Sequence, residues 1–177
     1  MTQMKKIFSI LLLSSLGIAS VSAQTFSKGD NVASASVGVG GSYGVPVSLS
    51  YERGVYDINN KMAIGVGGLL GFGFDSEKFD GGKATSNHIL LGARGAWHYT
   101  GFSSWDLYAG LTLGYNIVSS SVKYDNPLYS GDFEASSSGL LWGMHVGARY
   151  YFNEKFGVMG ELGYGVGVLN LGVSYKF

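Results

Sequence analysis

Glu52, Arg94, Arg149 and Glu161 stand in segments that are otherwise almost free of charge. Two acids and two bases satisfy each other in a confined interior when paired, and are costly there when not. Each lies several residues from the same end of its segment, so similar depths are expected. Arg149 and Glu161 fall on consecutive segments and are expected to meet diagonally across the turn between them. Such a set supports one of two roles: a salt-bridge plug that fills an interior, which is the preferred reading, or a charge gate for small ions. His88, His98 and His145 complete the titratable groups of these segments. They fall on different segments at different heights, whereas a metal site needs convergent ligands, so no metal is expected. No His-Glu-x-x-His, phosphate-loop or Cys–His pattern occurs. The chain has no cysteine, which excludes disulfides and thiolate sites. No cofactor is expected. The stretch SSSVKYDNPLYSGDFEASSS sets Tyr124, Tyr129 and Phe133 among acids and serines. It reads first as a solvated loop, with a contact surface for a partner as the alternative.

The elements that must position these groups are strands. In the final segment every second residue back from the end is apolar: Phe177, Tyr175, Val173, Leu171 and Leu169. Between them lie Lys176, Ser174, Gly172, Asn170 and Val168. Alternation of this kind predicts a strand with two different surroundings. Seven more segments alternate likewise, at about 31–40, 45–56, 62–74, 87–99, 105–118, 140–152 and 156–164. Each is near the length of a membrane-spanning strand, and short connections predict antiparallel neighbours. The pattern has exceptions. Gly68, Gly95 and Gly160 fall on the greasy face, and Leu69, Leu90, Leu141 and Met159 on the other.

Lys5 and Lys6 precede an apolar run from Ile7 to about Ser20, followed by the small-x-small site Val21-Ser22-Ala23. This predicts a signal peptide over residues 1–23, cleaved before Gln24, and leaves residues 24–177 as one domain. Without Lys5 and Lys6, ten basic residues face twelve acidic ones. That is no footprint for nucleic acid. Charged residues are 14% of the chain, against roughly a quarter in an ordinary soluble domain.

Composition of the two faces separates a soluble barrel from a membrane one. A soluble barrel needs an outer face rich in Lys and Glu, and neither face has that. The aliphatic and aromatic face suits lipid; the face of glycine, serine and few charges suits a crowded interior. With the amino terminus periplasmic, Tyr51, Trp97, Tyr99, Trp105, Tyr150, Phe152, Phe156, Tyr175 and Phe177 gather at periplasmic strand ends. Phe72, Phe74, Tyr115, Trp142 and Tyr164 gather at the opposite ends, on the same face. These are two expected girdles. Trp105 to Tyr115, about ten residues at roughly 3.3 Å each and a tilt near 40°, spans about 25 Å vertically, the height of a lipid-facing band. Short turns are expected at about 57–61, 100–104 and 153–155. On the other side, tight connections are expected near 41–44 and 165–167, and long loops at about 75–86 and 119–138.

The signal peptide, the eight alternating segments, Glu-Leu-Gly-Tyr-Gly at 161–165, Asn-Leu-Gly at 170–172 and the terminal Ser-Tyr-Lys-Phe resemble the small OmpA/OmpX-type outer-membrane barrels. The likeness covers all of residues 24–177. It implies an all-β, eight-stranded, antiparallel up-and-down transmembrane barrel in the bacterial outer membrane. It also implies that Tyr175 and Phe177 form the signal read by the barrel-assembly machinery, and, with the chain ending at Phe177, that no peptidoglycan-binding domain follows. Outer-membrane lipid-modifying enzymes resemble this architecture and use His and Ser near the outer leaflet. Here no histidine is followed by serine two residues on, so an enzyme is not expected. The expectation is a monomer embedded in outer-membrane lipid, contributing to envelope integrity or to surface contacts through its outer loops. The rival is a small-solute or ion channel.

Overall fold

The computed structural model describes residues 25–79, 82–124 and 133–177, and of residues 123, 124, 133 and 134 the backbone alone. The expected signal peptide lies outside the described residues. Eight strands follow in order: β1 (Asn31–Val39), β2 (Val47–Asn59), β3 (Met62–Phe79), β4 (Gly82–Phe102), β5 (Trp105–Tyr124), β6 (Phe133–Tyr151), β7 (Phe156–Tyr164) and β8 (Leu169–Lys176). Each pairs antiparallel with the next, and β1 pairs with β8, so the sheet closes into a barrel. Closure reaches the last residue. Phe177 N donates to Asn31 O at 2.9 Å, and Asn31 N to Phe177 O at 3.3 Å. Every ladder edge around the ring is thereby paired, the condition for a sheet to sit in hydrocarbon.

The two faces divide as their residue types require. Leu111, Leu113, Trp142, Val146, Leu171 and Val173 point outward and are exposed, while Thr112, His145, Arg149 and Ser174 point inward and are buried. Aromatics meet at both ends of the outward face. At the end that holds Thr25 and the carboxy terminus, the terminal end, Trp105 lies 5.0 Å from Tyr150, and Phe156 4.8 Å from Tyr175. Tyr175 in turn lies 5.8 Å from Phe177, which reaches Tyr51 at 6.5 Å. At the far end Trp142 lies 5.0 Å from Tyr164. The expected girdle at the terminal end thus holds ring contacts, one chain of which spans the β7–β8–β1–β2 closure, and the far-end girdle holds the Trp142–Tyr164 pair.

Two connections differ from expectation. In the stretches 75–86 and 119–138, read as long loops, the described residues are strand, and residues 80–81 and 125–132 lie outside the described residues. The β3–β4 ladder runs on to Phe79↔Gly82, β4–β5 to Gly82↔Tyr124, and β5–β6 to Val122↔Phe133. On the flanks, β2 stops pairing with β3 at Phe72, and β7 with β6 at Met144. The result is a four-stranded extension of β3–β6 beyond the closed barrel. Its sequence hid it for a physical reason. Serine, threonine and charged residues occupy both faces there, so the apolar/polar alternation that marks a half-buried strand is missing, although backbone pairing continues.

The tight connections at 40–46 and 165–168 fold inward. Val166 joins Leu69, Leu90 and Leu141 in a buried apolar cluster, with Tyr43 packed against it. The leucines that broke the alternation thus form an apolar cap inside the far mouth of the barrel.

Candidate functional site

The interior next to the terminal end is polar, and it is closed by a ring of four side chains from four strands. Arg149 of β6 donates Nη1 to Asp106 Oδ2 at 3.0 Å and Nη2 to Glu52 Oε2 at 2.6 Å. His98 of β4 places Nδ1 2.8 Å from Asp106 Oδ1 and Nε2 2.7 Å from Glu52 Oε1. Each carboxylate bridges the guanidinium and the imidazole, so the four groups form a closed cycle. It ties β2 to β4, β5 and β6 across the lumen. Glu52 and Arg149 are buried, and His98 and Asp106 are wholly so.

A second set adjoins it. Arg94 Nη2 donates to Glu161 Oε2 at 2.6 Å and to His145 Nε2 at 2.7 Å. Tyr108 donates its hydroxyl to the same Glu161 oxygen at 3.2 Å. Tyr108 also joins the two sets: its ring lies under the Arg149 guanidinium, 4.4 Å from centroid to carbon, and stacks with His98 at 5.6 Å. Inner-face glycines make the room. A Cβ at Gly65 would run into the Glu52 carboxylate, and one at Gly147 into the Tyr108 ring.

Glu52, Arg94, Arg149 and Glu161 therefore gather inside as expected, but with different pairings. Arg149 does not take Glu161. Its direct register partner on β5 is Asp106, whereas Glu161 lies opposite Gly147, two positions along. Glu161 takes Arg94 from across the lumen instead. Asp106 and His98 are the members that sequence reasoning missed. Asp106 reads as the start of a strand beside a turn, yet its parity with Tyr108 and Gly110 marks it as inward. The cluster thus holds three carboxylates against two guanidiniums. Hydrogen bonds at both His98 nitrogens call for one further proton, which brings the sum to zero. With both nitrogens engaged, His98 keeps no lone pair for a metal. Among the described residues no group of three His, Asp or Glu side chains could hold one.

The amino-terminal segment closes this end of the lumen, a feature for which the sequence gives no periodic signal. Phe26 is 2% exposed and stacks on His98 with ring centroids 4.0 Å apart. It packs with Val32 and Ala63. The segment is tied down by Lys28 N donating to Asp57 Oδ1 at 2.7 Å, and by Gly29 N donating to Gly54 O at 2.9 Å. Beside it a polar hollow of about 590 Å³, lined by Thr25, Asp57, Asn59 and Thr100 among others, opens at this end. Phe26→Ala is expected to loosen this stopper without opening the barrel wall. A cysteine placed at Ala63 should then react faster with a water-soluble thiol reagent than it does beside native Phe26. Equal rates would mean that Phe26 does not control access.

The remaining expected site residues are placed as follows. Tyr175 and Phe177 lie on the outward face at the terminal end, in the ring contacts described above. Tyr124 and Phe133 lie at the far ends of β5 and β6 rather than in a loop, and Tyr129 lies outside the described residues.

No family model matches the chain, and no curated protein matches it in sequence. Solved structures match it in fold. A structure from the de novo design of transmembrane β-barrels is 16% identical, covers 86% of this chain and 99% of its own, and superposes with a TM-score of 0.53. Ail, the attachment invasion locus protein of Yersinia pestis, is 15% identical, covers 85% of this chain and 99% of its own, and superposes with a TM-score of 0.51. The chain has the fold of these proteins: an eight-stranded, antiparallel, up-and-down transmembrane β-barrel.

Proposed function

We propose that the chain is a monomeric bacterial outer-membrane protein without enzymatic activity, closed to solutes by its own side chains. In this reading it is exported through a signal peptide over residues 1–23. It contributes to envelope integrity, and to surface contacts through the β3–β6 extension. The observation that carries the reading is the filled lumen: the Leu69, Leu90, Leu141 and Val166 cap at one end, the Glu52–His98–Asp106–Arg149 ring and the Phe26 stopper at the other. A barrel of eight strands is just wide enough for side chains to fill. The non-enzymatic reading is supported by the histidines, each held by a polar partner: His88 by Asn116, His98 by two carboxylates and His145 by Arg94.

The test is conductance. Wild-type protein in planar bilayers is expected to show no large, steady pore. A steady wild-type conductance as high as that of Arg149→Ala would favour the ion-channel alternative. The surface role has its own test. Replacing 76–85 and 121–134 by short Asn-Gly turns should leave a folded barrel and abolish the cell's surface contacts. If adhesion is unchanged while the barrel still folds, the extension is not the contact surface. Folding in these variants is read from gel mobility. A closed barrel has no free edge to unzip, so the unheated protein is expected to migrate apart from the boiled one. Identical migration of two β-rich samples would contradict closure.

The assembly role of the last strand extends the resemblance to Tyr175 and Phe177. Phe177 closes the β1–β8 seam by two backbone bonds to Asn31 and contributes to the aromatic contacts there. Deleting Phe177 is expected to lower the amount of protein in the outer membrane more than Leu69→Ala does. Equal amounts of the two variants would contradict the assembly role.

A further inference from the structure

The irregular backbone of the barrel is gathered around the polar hollow at the terminal end. Among the described strands the register shifts at three places: between Gly54 and Tyr56, between Asp57 and Asn59, and between Tyr99 and Phe102. Asp57, Asn59 and Phe102 line the hollow of about 590 Å³. The shift at Gly54 lies where the amino-terminal segment crosses β2, and a Cβ on Gly54 would run into Ser27 O. Ser104, in the β4–β5 turn, has a φ of 65°, the one positive value outside glycine among the described residues. Bulges re-aim side chains and recur beside functional sites, and backbone of this kind persists only where its surroundings hold it. Here they do. Thr100 N donates to Lys61 O at 2.8 Å, which ties the β4–β5 turn to the β2–β3 turn.

The lining selects a class of ligand. Lys28 and Lys61 adjoin lining residues in sequence, yet no lysine or arginine lines the hollow. Its polar groups are neutral amides and hydroxyls, with Asp57 the one carboxylate. Asp57 Oδ1 accepts from Lys28 N at 2.7 Å and Asn59 Oδ1 from Lys61 N at 2.9 Å, which leaves Asp57 Oδ2 and Asn59 Nδ2 for an occupant. Asn60 is exposed beside them. The apolar part is Phe26 and Ala63, both buried, and Phe102, 55% exposed. A hollow of this size with a few polar groups has the dimensions of a small-molecule site. Hydroxyls and a carboxylate suit a polyol. An amide side chain, donor and acceptor at once, matches an acetamido group. An aromatic ring suits the C–H face of a pyranose.

We propose that this hollow binds an N-acetylated amino sugar. Asn59 and Asn60 meet the acetamido group, Asp57 and Thr100 the ring hydroxyls, and Phe102 covers the apolar face of the sugar. The inference rests on the outer-membrane reading above, in which the terminal end faces the periplasm. The sugar is then either a residue of a cell-wall glycan strand or a free amino sugar. The first would give the envelope-integrity role a point of contact.

The probe is the tetramer of N-acetylglucosamine, titrated against the folded barrel in phosphatidylcholine nanodiscs and read as amide chemical shifts and as a Kd. Controls are the monosaccharide and the glucose tetramer, which lacks the acetamido groups. Shifts are expected at residues 57–62 and 100–103, and none at the third turn, 153–155. Phe102→Ala and Asn60→Ala, both at exposed positions and with heat-shifted mobility intact, are each expected to weaken binding about tenfold, as the loss of one well-placed contact does. Glu154→Ala, in the third turn, should bind as wild type. The proposal is overturned if the tetramer moves no resonance of the two turns, or if both variants bind as tightly as wild type. Equal affinity for the glucose tetramer would overturn it too, because the acetamido group would then carry no recognition. Tighter binding of the tetramer than of the monosaccharide assigns the hollow to a glycan strand, equal binding to a free sugar, and either result upholds the site. The outer-membrane reading is tested apart from the sugar. Ser103→Cys is expected to resist a bulky, membrane-impermeant thiol reagent on intact cells. Labelling there would refute the periplasmic placement while leaving the titration in discs unchanged.

Discussion

Arg149→Ala is expected to be the most destabilising single change in the lumen, lowering the unfolding free energy by about 3–5 kcal/mol, less where water enters the space left behind. The substitution strips Glu52 and Asp106 of the guanidinium they share, and it removes the cation under which the Tyr108 ring lies. Two buried carboxylates then face only His98. Arg149→Lys is expected to recover little, because a single ammonium does not reproduce the planar fork that reaches both acids. Denaturant unfolding in lipid vesicles gives the free energies, and double-mutant cycles assign the partners. Arg149→Ala with Glu52→Gln should show strong coupling, as should Arg94→Ala with Glu161→Gln. Arg149→Ala with Glu161→Gln should show less than either. Should that last pair couple most strongly, the cycle of four side chains is not the arrangement that stabilises the barrel. Loss of Arg149 should also raise the leak of small ions.

Leu111→Lys is the second large effect. Leu111 is 61% exposed on the outward face and lies midway between Trp105 at the terminal-end girdle and Tyr115 at the other. A lysine at the midplane of a barrel costs roughly 2–4 kcal/mol, falling to about 0–1 kcal/mol near the interfaces. Ile117→Lys, on the same strand and face but beyond Tyr115, should therefore be nearly neutral. Both variants are read by urea unfolding in vesicles, and the difference between them is the informative quantity. Equal destabilisation would mean that depth in a bilayer does not govern the outward face. A neutral Leu111→Lys would place that face in water.

Leu111 and Thr112 show how much could be read from the chain alone. Their opposite surroundings follow from the period of two along a strand, and the same period placed Glu52, Arg94, Arg149 and Glu161 inward. It also placed the aromatics at the strand ends. Parity is a local property, dictated residue by residue, and eight such segments specify an antiparallel ring. The extension of β3–β6 escaped the same reading because Ser119–Ser121 and Ser136–Ser138 are polar on both faces. A strand surrounded by water has no contrast for alternation to reveal.

The partners inside the lumen were settled by tertiary structure. Arg149 lies within reach of Glu161 on the neighbouring strand, yet Asp106 faces it directly and Glu52 reaches it from 97 residues away in sequence. Register and barrel closure bring those groups together, and no spacing within a strand encodes which one wins. The same holds for Phe26, a single aromatic in an aperiodic segment, which finds His98 only because closure creates a mouth of the right width. By itself the sequence determined which face each residue occupies and that the chain spans a bilayer as strands, because alternation and the cost of exposed backbone in lipid act locally. Which charges pair, what fills the two mouths and how far the sheet rises above the membrane depended on contacts between distant residues, whose energies are comparable and whose geometry the folded barrel alone supplies.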